Sequence, residues 1–168
     1  DKQLGEFKQF GAFETMPDHV TPHSLKQQGY QYLHTHWIYT IKNDGQFKIR
    51  MVASGNRISR RPEGITYCGV VYPFTANALA VIAHANGLHT FTGDITNAYL
   101  RADTSEKVYI RYGPEFGPER EGKLAICRRA LYGLPESAHA YSRYISGIMA
   151  SLGWTRISTD QNIWMRTV

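Results

Sequence analysis

The triplet Asn43-Asp44-Gly45 lies between two runs with the period of a β-strand, and no other feature constrains the fold of this chain as much. Upstream is Tyr30-Gln31-Tyr32-Leu33-His34-Thr35-His36-Trp37-Ile38-Tyr39, aromatic and β-prone. Downstream, Phe47, Ile49 and Met51 alternate with Lys48, Arg50 and Val52. Asp-Gly between two such runs predicts a β-hairpin. Side chains two apart share one face of a strand, so Lys48 and Arg50 are expected to project together from a rigid ribbon.

The charge balance sharpens that expectation. Of 19 Lys and Arg, six (Lys42, Lys48, Arg50, Arg57, Arg60 and Arg61) fall between Lys42 and Arg61, together with one of the 14 acids, Asp44. That leaves 13 of each sign elsewhere, so this window carries the whole net charge of +5. A basic stripe on a neutral body is the footprint of a polyanion site, whether nucleic acid, nucleotide or acidic lipid headgroup. A solvated loop is the plainer alternative.

The chain has 168 residues with 42% hydrophobic content, enough for one sizeable core and too few for two independent domains. No stretch approaches the roughly 18 apolar residues of a membrane span, and the start, Asp1 to Glu6, has no signal-peptide core. A soluble chain away from membranes is expected, and the missing initiator Met suggests a piece of something longer. Cys68 and Cys127 stand far apart, which points to neither a disulfide framework nor a zinc ribbon and makes a reducing compartment the default.

Further along, Leu79, Ile82 and Ala83 form a helical stripe within Phe74 to Asn86, with Gly87 placed to end the helix. Leu88 to Gly93 reads as a strand running into Asp94, and Lys107 to Tyr112 as another; Gly113 to Gly122 is a loop. A second helix is expected from Ser137, its candidate cap, to Gly153, with Ala138, Tyr141, Ile145, Ile148 or Met149, and Leu152 on its apolar face. Strand-like segments at Trp154 to Ile157 and Ile163 to Val168 complete an α+β order, with helices packed on one side of an antiparallel sheet.

Within Thr92-Gly93-Asp94-Ile95-Thr96-Asn97-Ala98-Tyr99-Leu100, an acid at an expected strand end precedes an aromatic by five positions. A carboxylate is a hard oxygen ligand suited to Mg²⁺, and a ring nearby can lie beneath an incoming sugar. Gly93-Asp94 as a turn, with Asp94 capping a short helix, is the structural alternative.

In series, Lys48-Ile49-Arg50-Met51-Val52-Ala53, Gly93 to Leu100, Ala130-Leu131-Tyr132-Gly133-Leu134 and Asp160-Gln161-Asn162-Ile163-Trp164 resemble the reverse transcriptases of copia-type LTR retrotransposons. That family shows K-A-R-L-V-A, D-V-x-x-A-F/Y-L, L-Y-G-L and D-x-x-x-F/W in this order, and the match runs from about Trp37 to the end. The resemblance implies a fingers hairpin plus an incomplete polymerase palm, residues 1–168, ending before the paired aspartates. It makes Asp94 the first catalytic carboxylate, with the Ile95 carbonyl as a second ligand to the same Mg²⁺ ions. Tyr99 becomes the sugar-discriminating residue. Lys48 and Arg50 would face the triphosphate, with Tyr132 and Gly133 against the nucleotide and template base.

On the same resemblance, the partners are an RNA template, a DNA primer and deoxynucleotides; from the basic window itself, Arg57, Arg60 and Arg61 are expected to contact phosphates. The rest of the palm, the thumb and an RNase H portion would belong to a full polyprotein in a cytoplasmic virus-like particle. Departures from the family pattern are Ile49, Asn56-Arg57, Pro135 where Lys or Arg is usual, and Tyr141 where Trp is usual. No Y-x-D-D occurs, so this piece alone is expected to be inactive. The rival reading is a non-catalytic, basic nucleic-acid-binding remnant of a mobile element.

His34 and His36, two apart on a strand, with His84 or His89 as further candidates, read as ordinary histidines rather than a metal site. Tyr30, Tyr32, Trp37 and Tyr39 read as hairpin packing ahead of a base-stacking platform.

Overall fold

The computed structural model describes residues 2–58 and 68–166. Arg60, Arg61 and the end of the last expected strand, Thr167 and Val168, lie outside the described residues. In chain order the first elements are α1 (Lys2–Gln9), β1 (Phe13–Thr15), α2 (Pro22–Gln27), β2 (Gln31–Tyr32), β3 (Thr35–Ile41) and β4 (Phe47–Ala53). They are followed by α3 (Pro73–Ala85), β5 (Val108–Arg111), β6 (Leu124–Cys127), α4 (Ser137–Ser151), β7 (Thr155–Arg156) and β8 (Trp164–Met165). Short 3₁₀ turns occupy Gly55–Arg57, Tyr99–Arg101 and Pro114–Phe116. The class is α+β, as expected.

The main sheet runs β1-β6-β5-β2, antiparallel except for the parallel β2–β5 pair. Alternation along β5 and β6 divides its side chains between two cores. Val108, Ile110, Ala125 and Cys127 join Phe7 of α1 and Met51 of β4 on one side. Tyr109, Leu124 and Ile126 join Leu25 of α2 on the other. This double burial explains why β6, Leu-Ala-Ile-Cys, shows no polar alternation: all four residues are buried.

The predicted hairpin is present as β3 and β4, paired from Thr35↔Ala53 to Ile41↔Phe47. Its reversal uses three residues, with the Gly45 amide donating to the Lys42 carbonyl at 2.9 Å. The Asp44 carboxylate accepts from the Gln46 amide at 3.0 Å. The register puts Lys48 and Arg50 on one face, opposite Thr40 and Ile38. Trp37, Tyr39 and Ile41 share the other face with Met51, Ile49 and Phe47. Exposure on that apolar face rises from 2% at Met51 to 81% at Phe47, so the ribbon is anchored at its base and bare at its tip.

α3 begins with Pro73 in its first turn and ends as expected, with Gly87 at φ 61° and the Leu88 amide donating to the Ala83 carbonyl. None of its residues is buried, so the Leu79, Ile82 and Ala83 stripe has no cover among the described residues. Its start is held from far away. The Tyr72 amide donates to the Asp160 carboxylate at 3.3 Å, which also accepts from the Asn162 amide at 2.9 Å. Asp160, the acid of the D-x-x-x-W string, thereby ties the β7–β8 hairpin to the head of α3.

The Asn162 amide bond, supported by that of Tyr72, holds the Asp160 carboxyl below its ordinary value. A carboxyl depressed in the native state contributes stability that is present above its unfolded pKa and lost as pH falls through the native one. Thermal melts of wild type and Asp160→Ala should therefore differ by a constant amount at neutral pH. The gap should close as pH drops below the ordinary value of 3.8. A gap that persists in acid would mean that Asp160 acts only through packing.

Two expectations are corrected here. Leu88 to Gly93 form no strand, although Thr90 and Thr92 are β-prone, because a strand needs an edge to bond to and no described strand pairs with this segment. Ser137 does not cap α4 either; its hydroxyl donates to the Leu131 carbonyl at 2.6 Å.

Candidate functional site

Four distant segments meet where α4 packs against the turn Tyr99–Arg101. Their backbones can approach because the contact residues are small: Ala102, Ala130 and Ala140 form a buried cluster flanked by Tyr99 and Tyr141. Before that turn, Asn97 takes φ 55°, the left-handed conformation that Asn tolerates better than most residues. The Arg101 guanidinium donates to the Thr96 carbonyl at 3.2 Å, closing the loop that carries Asp94 to Tyr99.

The Tyr132–Gly133 turn docks on the end of β4 backbone to backbone. The Ala53 amide donates to the Tyr132 carbonyl at 2.7 Å. Gly133 has φ 91°, and a Cβ there would overlap the Ala53 carbonyl. A Cβ on Gly55 would in turn overlap the Gly133 carbonyl and crowd the ring of Pro135, the residue standing where the family usually has a cation.

This docking assembles a ladder of aromatic side chains. The Arg50 guanidinium lies 5.8 Å from the Tyr132 ring centroid. The Tyr132 ring is 4.7 Å from that of Tyr99, and Tyr99 is 6.2 Å from Tyr141. Tyr141 is 6.2 Å from Tyr144. Burial, then the neighbouring Tyr132 and Cys68, push the Tyr99 phenol above its ordinary value. The Tyr141 phenol is also raised, first by burial, with Asp94 among the groups that raise it and Arg101 opposing. The charge of Asp94 therefore reaches the foot of the ladder.

Asp94 is exposed on an irregular segment and has no hydrogen-bond or ion-pair partner among the described residues; Ile95 beside it is 48% exposed. Lys48, Arg50 and Arg57 likewise lack an ion-pair partner among the described residues, and Arg57 is exposed in the turn after β4. The structure thus brings Arg50, Tyr99, Tyr132, Gly133 and the field of Asp94 together. Lys48 stands one rung further out on the Arg50 face of the hairpin.

The weaker candidates resolve into packing. The His36 ring nitrogen bonds the Ser54 hydroxyl at 3.3 Å, and the His34 ring packs edge-on to Tyr32. Trp37 leans on Phe116, and Tyr32 on Tyr109, while Tyr39 stays 68% exposed. Burial pushes the Cys127 thiol far up, which rules against a nucleophile. Two acids that no sequence pattern marks, Glu106 and Glu136, are buried at the head of α4. A charged residue two positions before a strand carries no pattern that would mark it as buried.

The family described as Reverse transcriptase (RNA-dependent DNA polymerase) matches residues 21–168. The chain is similar to the Transposon Ty1-BL Gag-Pol polyprotein of Saccharomyces cerevisiae, 32% identical over 127 residues, which cover 72% of this chain and 7% of that protein. The Truncated transposon Ty1-A Gag-Pol polyprotein of the same organism is 31% identical over 127 residues, 72% of this chain and 10% of that protein. The chain spans a tenth or less of the length of these curated relatives.

Proposed function

Because the chain belongs to the reverse transcriptase (RNA-dependent DNA polymerase) family, in its copia-type retrotransposon branch, we propose that it supplies the fingers and the first part of the palm of an RNA-directed DNA polymerase. The observation that carries this reading is the ladder Arg50–Tyr132–Tyr99–Tyr141 with Asp94 at its foot, drawn from three of those strings and from α4. Arg50 and Lys48 bind the triphosphate and offset charge developing on the departing pyrophosphate. The Tyr99 ring, braced between Tyr132 and Tyr141, lies under the sugar and excludes a 2′-hydroxyl. Tyr132 and Gly133 shape the floor beneath the base.

Bound Mg²⁺ would supply Lewis-acid stabilisation of the attacking and leaving oxygens. Asp94, exposed and without a partner, and the Ile95 carbonyl fit one edge of such a site. No group of three His, Cys, Asp or Glu side chains among the described residues could complete it. Alone, this segment is expected to bind without extending a primer. An RNA template, a DNA primer and deoxynucleotides are its partners inside the cell, within the particle of the element. No helix among the described residues is long and apolar enough to cross a membrane.

The non-catalytic binding module has one observation in its favour, the irregular backbone at Asp94. Both readings require phosphate contacts from the basic stripe. Binding of this chain to single-stranded RNA should weaken steeply with salt, by a slope of about 0.7 per neutralised phosphate. The triple change Arg57→Ala, Arg60→Ala, Arg61→Ala should flatten the log–log slope by about two units. An unchanged slope would remove the stripe from the nucleic-acid path.

A further inference from the structure

At the head of α4, two carboxyl groups from separate segments meet in a place with little water. Glu106 is 9% exposed and Glu136 is 6% exposed. The Glu136 amide donates to the Glu106 carboxyl at 2.8 Å. The Glu136 carboxylate accepts from the Ser105 hydroxyl at 2.5 Å and from Arg143 at 2.9 Å. Glu136 is the cap residue just before α4, and its own side chain does not cap the helix. The acceptor at the head of α4 is therefore Glu106, thirty residues back in the chain and just ahead of β5.

The chain between that head and the ladder has little slack. The Leu134 amide donates to the Leu131 carbonyl, and the Ser137 amide to the Leu134 carbonyl, while the Ser137 hydroxyl returns to Leu131. Tyr132 and Gly133 hang inside these closures and meet β4 through the Ala53–Tyr132 bond. Fixing the start of α4 fixes where that turn stands.

We propose that Glu106 is a positioning residue: by accepting the Glu136 amide it holds the Tyr132–Gly133 turn in register with β4, and so sets the place of Tyr132 beneath Arg50 and beside Tyr99. The nucleotide role of that turn rests on the reading above; the positioning itself does not. Glu106 is the carboxyl of the pair that gains no cation or hydroxyl partner among the described residues. Burial raises its carboxyl above the ordinary value; the bond from the Glu136 amide works against that rise, and the charge of the facing Glu136 adds to it. Glu136 keeps the partners suited to a charge, Arg143 and Ser105, and Cys127 is the other titratable group that faces Glu106. A protonated carboxyl still accepts through its carbonyl oxygen. It brings no second charge into the pocket.

A carboxyl raised in the native state gives stability that is complete below its unfolded pKa and lost as pH climbs through the native one. Amide exchange at Ala53, measured against that at Tyr112, whose amide donates to the Lys123 carbonyl beside the β5–β6 pair, reads the turn without any nucleotide. Glu106→Ala should speed exchange at Ala53 about tenfold relative to Tyr112, the effect of leaving one buried donor unpaired. Glu106→Gln keeps the acceptor without the charge. It should protect Ala53 as wild type does in mild acid and stay flat with pH, where wild type loses relative protection as pH rises above the ordinary 4.5.

Unchanged relative exchange at Ala53 in Glu106→Ala overturns the proposal, as does equal acceleration at both amides. Should Glu106→Ala not fold, the pH comparison between wild type and Glu106→Gln decides, and identical profiles overturn it. Loss of the salt-dependent RNA binding would overturn the functional reading instead, leaving this one standing, so the two fail separately.

Discussion

Gly133→Ala should destabilise the fold by about 3 kcal/mol, combining a left-handed backbone that costs an L-residue about 1–2 kcal/mol with an overpacking cost of similar size. The added methyl would meet the Ala53 carbonyl, which is backbone in a paired strand and has no rotamer by which to yield. Gly87→Ala is the control. Gly87 is also left-handed, at φ 61°, but a Cβ there meets open space, so the cost should be the backbone part alone, about 1 kcal/mol. For a chain of this size, 3 kcal/mol lowers the melting temperature by roughly 6–12 °C. Equal shifts for the two variants in a thermal melt would show that the tight docking of the turn on β4 contributes nothing.

In a complete polymerase carrying this segment, Asp94→Asn should cut primer extension on an RNA template by about three orders of magnitude. That is the rate equivalent of roughly 4 kcal/mol of lost transition-state charge stabilisation. Asp94 is exposed and makes no hydrogen bond or ion pair among the described residues, so the fold should be indifferent to the change and melting should stay within about 0.5 kcal/mol of wild type. Tyr99→Ala acts five residues away and should do the opposite. Extension should persist, while discrimination against ribonucleotides falls, because the ring that would meet a 2′-hydroxyl is gone. Asp94→Asn extending at the wild-type rate would favour the binding-module reading.

The parts of the fold that could be read from the sequence are those whose local pattern and tertiary role agree. The β3–β4 hairpin advertises itself through alternation and Asp44-Gly45, and α3 and α4 through Gly87 and Gly153, which close both helices in the same way. α2 was missed although Thr21 and Ser24 form a reciprocal capping pair, because Ser stands where Glu or Gln usually marks the motif. α1 has Gly5 at its centre and few apolar residues, so little in its sequence announces a helix. The segment before Asp94 was read as a strand on propensity alone, and propensity reports fit to a neighbouring strand that is not there among the described residues.

The site divides in the same way. Lys48 and Arg50 follow from strand parity. That Tyr99, Tyr132 and Tyr141 stack is a fact of long-range packing, legible only through the family order of the strings. Glu106 was invisible because burial of an acid depends on what it accepts, not on its neighbours in sequence.

α3 has a consequence for how the chain comes apart. It is a helix of thirteen residues, none of them buried among the described residues, and a helix of that length is marginal in water when few tertiary contacts support it. Unwinding it uncovers almost no apolar surface, so its opening should respond weakly to denaturant. The core around Leu33, Met51, Ile110 and Leu131 yields only to concentrations that expose everything at once. Two such elements on one chain make a solution with two thresholds. Loss of helical signal should begin while the sheet is still whole, and among the described residues the bonds from Tyr72 and Thr75 to Asp160 oppose it.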